Sequence, residues 1–207
     1  MSLSKEKPIT INGAAGKIEA KINFPVDWPA CGGCMLIAHP HPLQGGTFDN
    51  KVVHTLARAA LSAGFAAVRF NFRGVGESDG SYDEGIGEVD DMISVAENVF
   101  SHYQFGHKIF AGFSFGGYVA SRACSGLGID RLVLVAPAVG RFEMGVVPKN
   151  TLVIHGKDDD VVRLSDVFSW AEACDLPVTV FPKVGHFFHG KLIPLQKLVE
   201  RFCKGIE

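Results

Sequence analysis

Five residues, Gly112-Phe113-Ser114-Phe115-Gly116, set a hydroxyl between two glycines, directly after a run that reads as a strand and before one that reads as a helix. A serine on so sharp a turn is held in a strained backbone with its Oγ pointing outward. The glycines are needed because a side chain there would collide where strand and helix approach closely. The following helix brings backbone N–H groups and the positive end of its dipole beside the serine. The chemistry this predicts is nucleophilic attack by Ser114.

A serine hydroxyl is a poor nucleophile unless a base takes its proton. Of eight histidines, the candidate is His186 in Val184-Gly185-His186-Phe187-Phe188, on a loop just past the last strand, where an imidazole can reach across the strand ends. His189 is the nearest rival and falls further into the turn leading to the final helix. The base in turn needs an acid to fix its tautomer and stabilise the imidazolium. Asp158-Asp159-Asp160 follows the strand 151–155. Three consecutive aspartates at a strand's carboxyl end offer one acid, with a helix cap or a solvated turn as the role of the others. The chain order of serine, aspartate cluster and histidine is the one expected of a nucleophile-elbow hydrolase.

Negative charge developing on the attacked carbonyl needs two N–H donors. Phe115, directly after the serine, supplies one. The second should come from the loop His39-Pro40-His41-Pro42-Leu43-Gln44-Gly45-Gly46, which follows an early strand. Pro40 and Pro42 have no N–H, which leaves His41 or Leu43, with His41 favoured. The His39/His41 pair has no acidic or cysteine partner nearby, so no metal and no cofactor are expected. Cys31-Gly-Gly-Cys34 has redox or half-zinc spacing, yet it precedes a strand and no second pair follows, so it reads as turn chemistry. Gly74-Val75-Gly76 lacks the third glycine and the lysine of a phosphate-binding loop.

The elements that must position these residues alternate along the chain. Segments 8–12 and 17–24 show the polar alternation of an antiparallel hairpin at a sheet edge. Residues 35–39, 66–72, 108–113, 132–137, 151–155 and 178–181 read as strands, with helical patterns at 51–63, 84–102, 115–125, 164–174 and 191–203 between and after them. Such alternation builds a mostly parallel, doubly wound α/β sheet, in which ligands bind at the carboxyl ends of the strands.

Across nearly its whole length the sequence resembles the α/β-hydrolase superfamily. It is most similar to small bacterial hydrolases, loosely related to dienelactone hydrolases, that carry His-Pro-His-Pro followed by Gly-Gly. The matching segments are residues 39–46, 70–78, 112–117, 155–162 and 185–188. The resemblance implies that, within H-G-x-x-D-x-x-V, the acid is Asp159. It departs from the pattern in two places: Asn71 stands where many relatives have aspartate, which should alter loop hydrogen bonding, and the elbow carries serine where dienelactone hydrolases proper carry cysteine. Larger relatives insert a lid in the interval 138–150, which here is too short for one. The site should therefore be open, with Phe113, Phe115, Phe142, Phe187 and Phe188 as candidates for its rim. A small-molecule carboxylic ester or thioester is the expected substrate, with an amide or peptide as the enzymatic alternative. A catalytically silent scaffold that binds a partner is the alternative of another class.

Length and composition set the frame. With 207 residues, 47% of them hydrophobic and only 20% charged, the chain suits one domain, 1–207, around a sheet buried on both faces. A formal net charge of -2 offers no field for a nucleic acid or an anionic membrane. No run approaches the ~20 apolar residues of a spanning helix. Five cysteines without an apolar leader suit a reducing cytoplasm.

Overall fold

The computed structural model describes residues 6–26, 28 and 32–205. Strands β1 (Glu6–Gly13) and β2 (Gly16–Asn23) form the expected edge hairpin. Beside them lie β3 (Cys34–Ala38), β4 (Ala66–Phe70), β5 (Lys108–Phe113), β6 (Arg131–Val135), β7 (Thr151–Gly156) and β8 (Val178–Phe181), in the order β1-β2-β4-β3-β5-β6-β7-β8. β2 runs antiparallel to β4, and every pair from β4 to β8 is parallel. Every residue of β3 and β4 is buried, which is why β3 is a continuous apolar run and β4 is one interrupted only by Arg69.

Alternate residues of one strand serve two cores. Leu36, Phe110, Leu132 and Leu134 pack under α2 (Ile86–His102) and α3 (Phe115–Ala123). Met35, Ile37, Ile109 and Val133 pack against α1 (Lys51–Ser62) and α5 (Leu192–Lys204). Helix α4 (Leu164–Ala173) adds Val167 and Ala171 to a smaller cluster against Val153 of β7. Helix α1 starts at Asn50, whose side chain accepts the Val52 N–H at 2.8 Å, and α5 buries Leu195, Val199 and Cys203 four residues apart.

Boundaries depart from expectation where a side chain takes over a backbone hydrogen bond. β4 stops at Phe70 because the Phe72 N–H donates to His39 Nε2 at 3.1 Å instead of continuing the ladder. α2 starts at Ile86, two residues late, because Glu84 and Gly85 have positive φ. There the Glu88 carboxylate accepts the N–H groups of Asp83 at 2.9 Å and Gly85 at 2.8 Å. Of the Cys31/Cys34 pair, Cys31 lies outside the described residues, and Cys34 opens β3 fully buried, with its thiol pushed up by burial.

The chain leaves β3 through α1 on one face and leaves β5 through α3 on the other. Adjacent strands exiting in opposite directions open a crevice at their carboxyl ends. Both the elbow after β5 and the loop after β3 lie there. Residues 136–150, between β6 and β7, hold only an isolated bridge between Val139 and Phe142, so among the described residues this interval supplies no lid over the crevice.

The loop after β4 is fastened from two sides. Arg73 forks onto Asp91 of α2, Nη2 to Oδ1 at 2.8 Å and Nε to Oδ2 at 3.1 Å. Asn71 donates from Nδ2 to Glu19 at 2.8 Å and accepts the Phe48 N–H on Oδ1 at 2.9 Å. The amide is therefore required as an amide, since an aspartate would face Glu19 with no proton between them. Asn71→Asp is expected to lower stability at neutral pH by about 1–3 kcal/mol. Part of that loss should be recovered as acidification lets the two carboxyls share a proton. Thermal unfolding of both proteins across pH 4–8 checks this, and equal melting temperatures throughout would refute it.

Candidate active site

The elbow has the strain its sequence implies. Ser114 sits at φ 55°, ψ −117°, immediately before the first residue of α3. The two glycines are there for close approach: a Cβ on Gly112 would stand 2.1 Å from the Gly116 carbonyl, and one on Gly116 would stand 2.3 Å from that of Ala38. The turn is also tied into the sheet, because the Ser114 N–H donates to Val135 at 2.9 Å and its carbonyl accepts from Ala138 at 3.2 Å.

The histidine loop is folded onto the end of β7. Asp158 donates its N–H to the Val184 carbonyl at 2.9 Å, and a Cβ on Gly156 would meet that carbonyl at 2.3 Å. Phe188, fully buried at φ 53°, anchors the loop in the core. This holds the His186 ring 5.0 Å from Phe113 and 5.2 Å from Phe187, centroid to centroid. His186 Nε2 then lies 3.0 Å from Ser114 Oγ, and Nδ1 lies 2.8 Å from Asp159 Oδ2. A carboxylate can only accept, so Nδ1 carries the proton and Nε2 presents a lone pair to the serine O–H.

Of the three aspartates, the structure brings Asp159 to the histidine, while Asp158 and Asp160 are exposed. The Asp159 side chain is fully buried, and its Oδ1 accepts the N–H groups of Val161 at 2.9 Å and Val162 at 2.8 Å. Burial pushes this carboxyl upward. The bonds from His186, Val162 and Val161 outweigh it and hold the group below its ordinary value, so it is charged at neutral pH. His189 is exposed, 5.9 Å from Phe187 by ring centroids, and among the described residues its side chain makes no bond to Ser114, Asp159 or His186.

Among the described residues, the backbone N–H groups of Phe115 and His41 have no acceptor, whereas the Leu43 N–H is taken by His41 Nδ1 at 3.2 Å. The rings of His41 and Phe115 pack at 5.0 Å, which brings the two loops together. His39 is fully buried, and burial pushes it down to about 4 despite its bond to the Pro40 carbonyl. It is neutral, with Nδ1–H given to Pro40 at 2.7 Å and Nε2 accepting from Phe72, so it fastens the loop.

The expected aromatic rim is corrected in part. Phe113, Phe115 and Phe188 are core residues, each no more than 1% exposed: Phe113 packs under the His186 ring, Phe115 against Phe72 and Tyr118, and Phe188 against Phe181. Phe142 is half-buried and Phe187 is 49% exposed, so these two do reach the surface. His41 and Tyr82 complete the rim, their rings 4.9 Å apart and Tyr82 6.0 Å from Phe115. Tyr82 was not legible as a rim residue, since only the fold of the loop after β4 brings it there. Next to the histidine loop a cavity of about 450 Å³ is bounded by Gly45, Thr47, Asp49, Lys51, Phe187 and His189. It shares Phe187 with the site and does not include Ser114.

A mostly parallel sheet, a serine at a strained strand-to-helix elbow and a histidine bridging it to a buried carboxylate define the hydrolase class to which these parts correspond. The sequence model of the alpha/beta hydrolase family matches residues 35–149. XC6422 from Xanthomonas campestris, described as an a/b serine hydrolase without lid, is 36% identical over 96% of this chain and 93% of its own, with a TM-score of 0.89. An alpha-beta serine hydrolase homologue from Coxiella burnetii is 38% identical over 94% of this chain and 96% of its own, with a TM-score of 0.84. The uncharacterized protein RP471 of Rickettsia prowazekii is 29% identical over 77% of this chain and 69% of its length. The chain belongs to the alpha/beta hydrolase family and is a hydrolase. Among the described residues no helix is long and apolar enough to cross a membrane.

Proposed function

We propose that this protein is a cytoplasmic, single-domain serine hydrolase that cleaves a small carboxylic ester or thioester through an acyl-enzyme intermediate. The observation that carries the reading is the unbroken hydrogen-bonded line from Asp159 Oδ2 through His186 to Ser114 Oγ, at 2.8 and 3.0 Å. Ser114 Oγ attacks the carbonyl carbon while its proton passes to His186 Nε2. Asp159 balances the imidazolium that results. As the tetrahedral intermediate collapses, His186 returns that proton to the departing alcohol or thiol, and the acyl group stays on Ser114. Water, activated by the same histidine, releases it. The oxyanion rests on the N–H groups of Phe115 and His41. The four described cysteines are free thiols, which agrees with a reducing compartment.

A fluorophosphonate probe and a panel of p-nitrophenyl esters, acyl thioesters and anilides test the reading. Covalent labelling at Ser114 and turnover of esters or thioesters over anilides are expected. An unlabelled wild-type protein would sink it.

The second oxyanion donor has its own test. His41 already has φ −50°, close to the value a proline ring imposes, so His41→Pro removes the N–H with little backbone strain. The expected loss in kcat is about 10²–10³-fold. His41→Ala deletes the ring and keeps the N–H, so it should lose far less. Equal losses in the two variants would mean that the ring, and not the N–H, matters.

A further inference from the structure

A second imidazole stands at the acid of the triad. His155, the penultimate residue of β7, is fully buried. Its Nε2 lies 3.0 Å from the Val162 carbonyl and 3.4 Å from Asp159 Oδ2, the oxygen that also holds His186. Neither of those oxygens can donate, so Nε2 carries a proton, which it gives to the Val162 carbonyl with Asp159 Oδ2 close beside it. Nδ1 of the same ring is buried and has no partner among the described residues. A lone pair left unsatisfied in the interior is costly, and it is retained here on a ring whose other nitrogen touches the triad.

From this geometry we infer that His155 is a positioning residue for the catalytic acid: its Nε2–H, given to the Val162 carbonyl, pins the turn whose Val162 N–H holds Asp159 Oδ1, and the same N–H edge, 3.4 Å from Oδ2, tempers the charge that Oδ2 presents to His186. The inference rests on the triad reading above. Asp159 accepts three N–H groups, Val161 and Val162 on Oδ1 and His186 on Oδ2, and His155 Nε2 stands 3.4 Å from Oδ2 as a close electrostatic neighbour. The two on Oδ1 fix one oxygen. His155 holds the Val162 carbonyl, and with it the turn whose N–H groups grip Oδ1, so the carboxylate cannot swing away from His186 without breaking the turn. The titratable groups acting on His155 are Asp159, from its own turn, and His186, from the loop after β8. On β8 its partner in register is Val180. Burial lowers the affinity of His155 for a second proton, consistent with a neutral ring and a bare Nδ1.

The test compares His155→Phe, His155→Asn and His155→Gln in the full chain. Rates are taken with a p-nitrophenyl ester and divided by active sites titrated with the fluorophosphonate, so that only folded sites count. Phe has no N–H, and the Asn amide reaches only as far as the ring's Nδ1. Gln can set an N–H where Nε2 stood. Phe and Asn should lower kcat about 10–100-fold with KM little changed, the scale of a misplaced catalytic group. The acid limb of kcat/KM should move to higher pH, because Asp159 then presents fuller charge to the imidazolium. Gln should restore most of the rate and the original limb. Wild-type kcat per titrated site in all three variants would overturn the inference, as would equal losses in Gln and Asn with an unmoved acid limb. If the Phe variant does not accumulate, the contrast between Asn and Gln decides. A wild type that the probe does not label refutes the triad reading itself, whereas a labelled, active wild type with indifferent His155 variants refutes only this inference.

Discussion

Ser114→Gly is expected to destroy activity and raise the melting temperature in the same protein. The residue occupies φ 55°, ψ −117°, a conformation that costs an L-residue about 1–3 kcal/mol and glycine almost nothing. The only hydrogen bond its Oγ makes among the described residues is the one to His186 Nε2, so no fold-supporting contact is lost with it. Greater freedom of glycine in the unfolded chain takes back roughly 0.5–1 kcal/mol. A net gain of about 1 kcal/mol remains, which for a domain of this size raises the melting temperature by about 2–4 °C. Over the same substitution kcat should fall by about 10⁶-fold, the scale of losing a triad nucleophile. Ser114→Ala separates the two effects. It removes the hydroxyl but keeps the Cβ and hence the strain, so it should be as inactive as glycine without the gain in stability. Thermal unfolding, probe labelling and ester hydrolysis on the three proteins decide the matter. An alanine variant that turns over substrate would dismiss Ser114 as nucleophile, and a glycine variant that melts lower than wild type would show that the elbow stores no strain.

That strain explains why the elbow could be read from the sequence. Gly112 and Gly116 sit where any Cβ would meet backbone within about 2 Å, so close packing dictates residue type and leaves a visible mark. The parallel strands were equally legible, because burial on both faces forces predominantly apolar runs. The acid was not legible from residue types alone. Asp158, Asp159 and Asp160 are chemically the same, and what separates them is which carboxylate meets the N–H groups of Val161 and Val162, a fact of turn geometry. The resemblance to a known motif pointed to Asp159, and the turn places that carboxylate beside His186. His155 belonged to the same motif, yet nothing in the sequence reveals that its Nε2 reaches back to the acid four residues on. The phenylalanines failed for the opposite reason: composition cannot tell a ring that supports His186 from below, such as Phe113, from one that faces solvent, such as Phe187.

Asp159→Asn should cost about 10⁴-fold in kcat, while Asp158→Asn and Asp160→Asn leave it unchanged. The reason is the orientation the turn imposes on the new amide. Val161 and Val162 both donate to the Oδ1 position, so the amide oxygen must settle there and the NH₂ must take the place of Oδ2. That NH₂ faces His186 Nδ1 at 2.8 Å and donates to it, which forces the imidazole proton onto Nε2. Nε2–H then points at Ser114 Oγ and cannot accept its proton, so the nucleophile loses its base although every heavy atom stays in place. The same substitution removes a pH-dependent stabilisation whose sign follows from the lowered value of Asp159. A carboxyl held below its unfolded value contributes stability above the ordinary ~3.9, and that contribution fades as pH falls through the native value. The stability difference between wild type and Asp159→Asn should therefore be largest near neutral pH and narrow in strong acid. Activity of the three Asn variants, with urea unfolding at pH 7 and pH 3, checks both statements. If Asp158→Asn or Asp160→Asn proves the damaging change, the acid has been assigned to the wrong aspartate.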